Sequence, residues 1–508
     1  MAITASQFDS LVNPILARRP ILKEVIETQG ARSIFDYARE HLMNPVSCPF
    51  PARQLEFLTV FKSEISRFFG STIATAAVRQ MERFFSVSTA DHHGPLTSPF
   101  FVNPSLVSAA VATEAPECKQ DFIIVFPGAN VSLNNSSLPR GFLYQTLVNG
   151  KIVTKRLSLV PSMLARGGSS LYGFRPYGQD DLNKIYAALA EAVSKNELPP
   201  PRAQALEQCI QKIYGTPEVL GCRDYSDQMT KGNFELWKMF FPEGTHAPDL
   251  LYIPMENISV ALFLANHVNK KTIVHEAIFN EKYEPLITRL FNGINGAFDL
   301  ARKEGTYWFW GLSEDKNCMV SLWKEGNFLC DAEHTIKIEL TPSAIVEALM
   351  KKRLAPNLFF NFMILAFYYG LRCLGGFNQI NYLTRMKSQW MEFSREFGAT
   401  EELVGLGSLQ TKGLVGDLTV AYLKGAAEQL IPVTGLDIFL YKNARTFSTI
   451  TAMSKQLTVA QAIYPLCAEF YRIVVPKEER VEEILKITPD NITEFLKLGK
   501  DIEPCVTL

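Results

Sequence analysis

The sequence predicts a mixed α/β protein whose α+β centre is flanked by extensive N- and C-terminal helical regions. Three observations support this fold class. Apolar residues recur at helical spacing before residue 88 and after residue 340. Between those positions, short apolar runs alternate with stretches rich in glycine, proline, serine and asparagine. The dipeptide Asn149-Gly150 stands between two apolar runs, which is the pattern of a tight antiparallel hairpin.

Changes in composition divide the chain into three parts. We predict an N-terminal helical region at 1–87, a mixed α/β central domain at 88–340 that carries the polar loops, and a C-terminal helical domain at 341–508. The chain has 508 residues, of which 47% are apolar, so it can form a large core.

The N-terminal region is predicted to be helical throughout. Phe8 and Ile15 begin and end a set of apolar residues that share one helix face. The segment 34–42 repeats this spacing. Pro51 begins a third, longer helix, and Gly70 is predicted to interrupt it.

The central domain is predicted to alternate strands with helices. The predicted strands are at 121–126, 142–148, 151–159, 250–253, 272–279, 306–312, 319–323 and 336–340. The predicted helices are at 182–194, 202–214 and 284–302, and 258–267 is predicted as a helix or a strand.

The C-terminal domain is predicted to be nearly all helical. Its helices are predicted to begin at Pro342 and to continue at 355–371, 380–397, 418–430, 459–474 and 478–498. The longest apolar run, 358–371, is too short to cross a bilayer of about 30 Å, so we predict a buried helix and no membrane association.

The bulk composition limits the partners and the location. With a net charge of −1, the protein has no overall positive charge that would attract DNA or RNA, so we predict no nucleic-acid partner. Nine dispersed cysteines without a Cys-x-x-Cys pair favour reduced thiols over a disulfide framework. The first residues lack the features of a signal peptide. We therefore predict a cytoplasmic protein that binds a small molecule, and its oligomeric state stays open.

The densest group of potential catalytic side chains is Asp91-His92-His93, where two of the chain's seven histidines are adjacent. Histidine can bind a metal, transfer protons or hold an anion. We predict that these three residues supply acid–base chemistry, or that His92 and His93 bind a divalent metal ion. The alternative is a structural loop whose polar groups are satisfied locally.

A second polar block follows the strand predicted at 121–126. Its candidate substrate-binding residues are Asn130, Asn134, Asn135, Ser136 and Arg140. Backbone N–H groups of such a loop can hold a phosphate or carboxylate, with arginine as a bidentate clamp. The alternative is a polar turn, because the block lacks the spacing of a P-loop.

Two glycine-containing blocks add candidates for substrate binding. Arg175 and Tyr177 stand between glycines before a predicted helix, and Arg372 and Gln379 flank a glycine pair after the apolar helix. Such residues suit the mouth of an apolar pocket. The alternative is that both blocks are ordinary helix ends.

A catalytic role is also predicted for His275 and Glu276, which lie in the strand predicted at 272–279 and can complete a site begun by His92 or His93. Glu256 and Asn257 follow another strand and form a further pairing of a base with an orienting group. No His-Glu-x-x-His spacing is present, so ordinary strand ends are the alternative.

The letters Asp91-His92-His93 are similar to the triplet that gives the DHH phosphoesterases their name. That family adds aspartate motifs upstream and a glycine-rich histidine motif, and neither occurs in this chain. The resemblance covers these few residues and does not assign the chain to the family.

Together these residues predict an enzyme that acts on a small anionic organic substrate by group transfer or ligation, with Arg140 or Arg175 holding the anionic group. Two loops that can hold anions favour group transfer over a metal-dependent hydrolase or phosphoesterase. A non-catalytic ligand-binding or scaffold protein is a further alternative. A metal-dependent oxidoreductase using carboxylates such as Glu347 and Glu392 is weakened because no histidine follows His334.

Overall fold

A four-stranded parallel sheet lies at the centre of the computed structural model, which describes residues 3–135, 137, 139–160, 168–313, 318–425 and 430–508. In chain order its strands are β1 (Ser86–Ser88), β2 (Phe122–Val125), β3 (Asp249–Tyr252) and β4 (Arg372–Leu374). Their order across the sheet is β4-β1-β2-β3, and every neighbouring pair is parallel. All four strands therefore end at the same edge.

Helices surround this sheet, and the structure contains 53% helix and 15% strand. This confirms the predicted fold class. The α-helices are Ala5–Arg18, Pro20–Gln29, Ile34–His41, Pro51–Arg83, Pro99–Glu114, Gln179–Ser194, Pro200–Tyr214, Pro217–Leu220, Tyr225–Lys238, Met255–Asn266, Ile273–Phe279, Glu284–Phe291, Pro342–Met350, Leu358–Phe362, Gln379–Phe397, Glu402–Ser408, Gly435–Tyr441, Thr446–Gln456, Val459–Ile463, Cys467–Val474, Glu482–Leu485 and Pro489–Phe495.

Short helices of other types and small sheets complete the fold. The 3-10 helices are Pro116–Cys118, Glu281–Tyr283, Tyr464–Leu466, Lys477–Glu479 and Leu498–Lys500, and a π-helix is at Met363–Tyr368. The strands outside the central sheet are Gly141–Val148, Lys151–Ser158, Phe298–Asp299, Glu304–Gly305, Phe309–Leu312, Met319–Ser321, Trp323–Glu325, Phe328–Cys330, Lys337–Glu339, Leu354–Pro356, Tyr422–Lys424, Leu430–Pro432 and Val506–Thr507.

The central sheet separates two hydrophobic cores. Alternate residues of β2 point into different cores, which explains why its four residues are all apolar and buried. The helices Pro99–Glu114 and Tyr225–Lys238 pack mainly in the first core. The helices Met255–Asn266 and Gln379–Phe397 pack mainly in the second.

The connections after β1 and β4 leave on opposite faces of the sheet. The helix that follows β1, Pro99–Glu114, lies in the first core, whereas the helix that follows β4, Gln379–Phe397, lies mainly in the second. β1 and β4 are neighbours. Adjacent strands whose connections diverge leave a crevice at their carboxyl ends, and open α/β sheets bind ligands there.

Several local predictions are confirmed. The strands predicted at 121–126 and 250–253 are β2 and β3. The predicted hairpin is the pair Gly141–Val148 and Lys151–Ser158, and its turn residues Asn149 and Gly150 have φ values of 51° and 75°, as a type I′ turn requires. Gly70, with a φ of 85°, interrupts the long helix Pro51–Arg83 as predicted.

The strand predicted at 272–279, which carries His275 and Glu276, is wrong, because this segment is the helix Ile273–Phe279. Thr272 caps it by accepting a hydrogen bond from the N–H of His275 at 3.2 Å. The buried residues of this helix are at 273, 274, 277 and 278, which is helical spacing.

Two long helices were predicted with the wrong extent. The helix predicted at 284–302 ends at Phe291, because Asn292 and Gly293, whose φ is 74°, turn the chain. The segment 355–371 begins in the strand Leu354–Pro356 and continues as the short helix Leu358–Phe362 and the π-helix. Most of its side chains are buried, so its periodicity could not distinguish a strand from a helix.

The C-terminal region is less helical than predicted. The helix predicted at 418–430 is wrong in its described part, because Tyr422–Lys424 pairs with Leu430–Pro432 and Val506–Thr507. The helix predicted at 478–498 is divided into short helices, and the last α-helix among them begins at Pro489.

The sequence pattern did not predict β1 or β4. Each has only three residues and lies directly after a helical segment, so neither has a periodicity of its own. β4 pairs with β1, so the sheet contains residues from all three predicted regions, 1–87, 88–340 and 341–508. The division into domains stays a prediction.

Free thiols are found at Cys48, Cys118, Cys209, Cys222, Cys330, Cys373, Cys467 and Cys505. Within the described ranges, no helix combines the length and the apolar character needed to cross a bilayer.

Candidate functional site

A cavity of about 970 Å³ lies at the carboxyl edge of the central sheet. Its lining includes residues that follow each of the four strands: Asp91 after β1, Asn130 after β2, Glu256 after β3 and Gln379 after β4. Parallel strands bring their carboxyl ends together, so the topology itself assembles these side chains. The volume is in the range of small-molecule sites.

Aromatic rings and charged groups share the cavity wall. Phe101, Trp310, Phe377 and Phe470 are among the rings. The charged side chains in the lining are Arg19, Asp91, Glu256, Asp299, Arg302, Glu304, Asp417 and Glu469. Such a wall can bind the apolar part of a molecule and orient its polar groups.

Asp91 is buried, and its Oδ2 has no hydrogen-bond partner among the described residues. Burial raises the pKa of Asp91 to about 8, although a hydrogen bond from Tyr252 opposes the shift. The carboxyl group is therefore mainly protonated at neutral pH and can donate its proton.

His92 is half-buried in the same wall, and its Nδ1 lies 3.0 Å from Oδ1 of Asn135. The same Asn135 oxygen accepts the N–H of Ser137 at 2.9 Å, which identifies it as an oxygen. The proton of the His92 ring is therefore on Nδ1, and Nε2 carries the lone pair. Burial lowers the pKa of His92, with the Asn135 hydrogen bond opposing, so the neutral ring can accept a proton.

His93 is fully buried and does not line the cavity. Its Nδ1 accepts the N–H of Gly94 at 2.7 Å, and its Nε2 lies 3.1 Å from the Thr230 hydroxyl. Because Nδ1 accepts, Nε2 donates, and no lone pair remains for a metal or a substrate. Burial lowers the pKa of His93 to about 3. The metal pair predicted at His92 and His93 does not fit this arrangement.

Glu256 joins the loop after β2 to the helix after β3. Its carboxylate accepts the N–H groups of Ala129 at 2.9 Å and Asn130 at 3.0 Å. Burial raises the pKa of Glu256, and these two hydrogen bonds oppose the shift. The side chain of Asn130 is fixed as well, since it donates to the carbonyl of Pro356 and accepts from the hydroxyl of Ser170. Both residues therefore hold the wall in one shape.

The end of the cavity near β4 holds one cation and two carboxyl groups. Nε of Arg19 donates to the Asn378 side chain at 2.6 Å. The carboxylate of Asp417 accepts the N–H of Phe377 at 2.8 Å, and burial raises the pKa of Asp417 to about 6. Burial also raises the pKa of Glu469. The sequence pattern did not indicate Arg19, Asp417 or Glu469, because each comes from a distant segment.

Gln379, a predicted substrate-binding residue, does line the cavity. Its side-chain NH₂ donates to the Thr89 hydroxyl, which in turn donates to the carbonyl of Leu374. These two hydrogen bonds link the loop after β1 to the end of β4. They leave the side-chain carbonyl of Gln379 to accept a hydrogen bond from a ligand.

His275 and Glu276 do not line the cavity. On the helix Ile273–Phe279, Nδ1 of His275 lies 2.8 Å from the carbonyl of His267, and Glu276 accepts from the side chain of Asn280 at 2.6 Å. The structure therefore does not join them to His92.

The described cavity lining also lacks the predicted clamps Arg140 and Arg175 and two further predicted substrate-binding residues, Arg372 and Tyr177. Arg175 is bonded to Asp181 at 3.0 Å, and Arg372 is buried and bonded to Asn44 at 2.9 Å. Arg140 is buried, and its Nε has no partner within the described ranges. Tyr177 is buried and donates to the carbonyl of Tyr214 at 2.8 Å.

The predicted anion loop reaches the cavity only in part. Asn130 lines it, and Asn135 is hydrogen-bonded to His92 in its wall. Asn134 is exposed. Ser136 lies outside the described residues.

Among the residues that the structure describes, one set of three potential metal ligands has donor atoms within 4.8 Å of one another. It is formed by Glu325, Cys330 and His334, which do not line the cavity. A divalent metal at the cavity stays a prediction.

Comparison of the sequence with protein-family models and with curated proteins gives no match in either case. The function therefore has to be inferred from the cavity.

Proposed function

We propose that the cavity is the active site of an enzyme that transfers a group between small organic molecules by acid–base chemistry. The supporting observation is that a protonated Asp91 and a neutral His92 with an available Nε2 line the same cavity. Two titratable groups whose pKa values are displaced in opposite directions provide one acid and one base at the same pH.

In the proposed step, Nε2 of His92 takes the proton of an attacking hydroxyl or amine. The new bond forms at the electrophilic carbon or phosphorus while Asp91 gives its proton to the leaving group, whose bond breaks. The step leaves an imidazolium at His92 and a carboxylate at Asp91. Return of the proton from His92 to Asp91, through water, restores both groups.

The charges of the lining limit the substrate. The lining holds two guanidinium groups, those of Arg19 and Arg302, against six carboxyl groups. A polyphosphate would meet net repulsion there. We therefore propose a substrate with one anionic group, held by Arg19, and with hydroxyl or amino groups that donate to Asp417 and Glu469.

Untargeted turnover measurements test this proposal. Purified protein is incubated with a metabolite extract, and mass spectrometry follows the compounds that are consumed and formed. We expect Asp91→Asn and His92→Asn to reduce the rate by roughly 100-fold or more, because that is the usual contribution of a general acid or base. The matched control His246→Asn changes an exposed histidine outside the cavity lining and is expected to leave the rate unchanged.

Two outcomes would overturn the proposal. A His92→Asn variant that converts the substrate at the wild-type rate would remove the base. An extract in which no compound changes, combined with a compound that raises the melting temperature, would identify a non-catalytic binding protein.

A further inference from the structure

Three potential metal ligands of different chemistry converge on the small antiparallel sheet at 323–339. Glu325 ends its first strand, Cys330 ends its second, and His334 lies in the turn to its third. The carboxylate oxygen, the thiol sulfur and the imidazole nitrogen lie within 4.8 Å of one another. This group is separate from the cavity and does not depend on the proposed enzyme activity.

The strand register explains the convergence. Trp323 pairs with Cys330, and Glu325 pairs with Phe328. Because residues two apart on a strand share a face, Glu325 and Cys330 are diagonal neighbours on one face. The intervening Leu329 points to the other face, into the second core.

The turn brings the third ligand to the same face. His334 has a φ of 54°, and its Nδ1 lies 3.7 Å from an oxygen of Glu325. Asp331 holds the turn by accepting the N–H of Ile336 and the hydroxyl of Thr335, each at 2.7 Å. The imidazole is therefore presented by a loop whose backbone is fixed.

We propose that Glu325, Cys330 and His334 form a Zn²⁺ site. One thiolate, one imidazole and one carboxylate are ligands that zinc accepts, with water at the fourth position. Tetrahedral bonds of about 2.0–2.3 Å place ligand atoms about 3.3–3.8 Å apart, so rotation of the side chains by about 1 Å closes the site. The ion links two strands and the turn between the second and third.

Zinc binding at this site displaces the thiol proton. Lys337 pairs with Cys330 across the sheet, and its ammonium lies 4.3 Å from the ring centre of Phe328. The ion forms a bond to the sulfur, and the proton goes to solvent, so binding strengthens as the pH rises.

Calorimetric titration of the metal-free full-length chain with Zn²⁺ tests the site. We expect one ion per chain and the release of a proton, seen as a dependence of the measured heat on the buffer. Cys330→Ser and His334→Asn are each expected to weaken binding by at least about tenfold, and Glu325→Gln by less. The matched controls Cys222→Ser and His246→Asn change a partly exposed cysteine and an exposed histidine elsewhere and should bind as the wild type does.

The proposal is overturned if the wild type takes up no stoichiometric zinc, or if all three ligand variants bind as tightly as the wild type. The side chains of His334 and Glu325 are 59% and 53% exposed, so we expect these two substitutions to leave the fold intact. Circular dichroism of Cys330→Ser shows whether a loss of binding in that variant reflects a loss of folding.

Discussion

The adjacent histidines His92 and His93 are both shielded from bulk solvent, and each lies near an aspartate, Asp91 or Asp224. They differ in whether their ring nitrogens are hydrogen-bonded within the protein. His93 uses both ring nitrogens within the protein, and Asp224 near it accepts hydrogen bonds from Ser226 and from the N–H of Asp227 while pairing with Lys352.

His92 and Asp91 keep an available nitrogen and an unpartnered oxygen at a cavity. Burial displaces the pKa values in both regions, so burial alone does not identify a site. The difference lies in the atoms that the protein leaves for a ligand.

The largest expected effect comes from removing the ion pair between Asp224 and Lys352 near His93. Lys352→Met leaves Asp224, whose side chain is 7% exposed, charged without its main partner. We expect a loss of about 4 kcal/mol in the free energy of unfolding, measured by urea denaturation.

The double variant Asp224→Asn/Lys352→Met provides the control, since it removes both charges and should recover much of the loss. A single variant that loses less than about 1 kcal/mol would show that the ion pair does not support the fold.

The second effect is a pH dependence specific to Asp91. Its pKa is about 8 in the folded protein and 3.8 for an unperturbed aspartate, so between these pH values Asp91 holds more protons in the folded state than in the unfolded state. The contribution of Asp91 to the free energy of unfolding therefore falls as the pH rises, by about 1.4 kcal/mol per pH unit.

Asp91→Asn removes this slope. We expect its stability relative to the wild type to increase by about 2.7 kcal/mol between pH 5 and pH 7, measured from urea midpoints. Asp180→Asn, at an exposed position, is the control that keeps the wild-type slope. If the stability of the wild type and that of Asp91→Asn changed with pH in the same way, the raised pKa of Asp91 would be contradicted.

The third effect compares the two histidines directly. His93→Asn leaves the Thr230 hydroxyl and the Gly94 N–H without their buried partner, and we expect a loss of about 2 kcal/mol. His92→Asn is expected to cost less than about 1 kcal/mol, because water in the cavity can replace the lost hydrogen bond. Thermal and urea unfolding measure the stability of both variants. Equal losses of stability would contradict the proposed difference between the two histidines.

The sequence predicted the fold class and the region of the cavity for identifiable reasons. β2 is a continuous apolar run, and so are the residues of β3 that follow Asp249. The polar residues after β1 form the densest histidine cluster. β1 and β4 could not be predicted, because three-residue strands have no measurable periodicity.

The composition of the cavity was harder to predict. Arg19, Asp417 and Glu469 come from segments that only the tertiary fold brings together, and none belongs to a motif. Nor could the sequence distinguish His92 from His93, because their different hydrogen-bond partners, Asn135 and Thr230, are set by packing.

Ethoxyformylation of histidines in the folded protein, located by tandem mass spectrometry, tests the central distinction most directly. The reagent acylates accessible imidazole nitrogens that carry a lone pair. We predict modification of His92 together with the exposed His246 and His334, and no modification of the buried His93 and His267. A His92 as unreactive as His93 would contradict the assignment of an available base at the cavity.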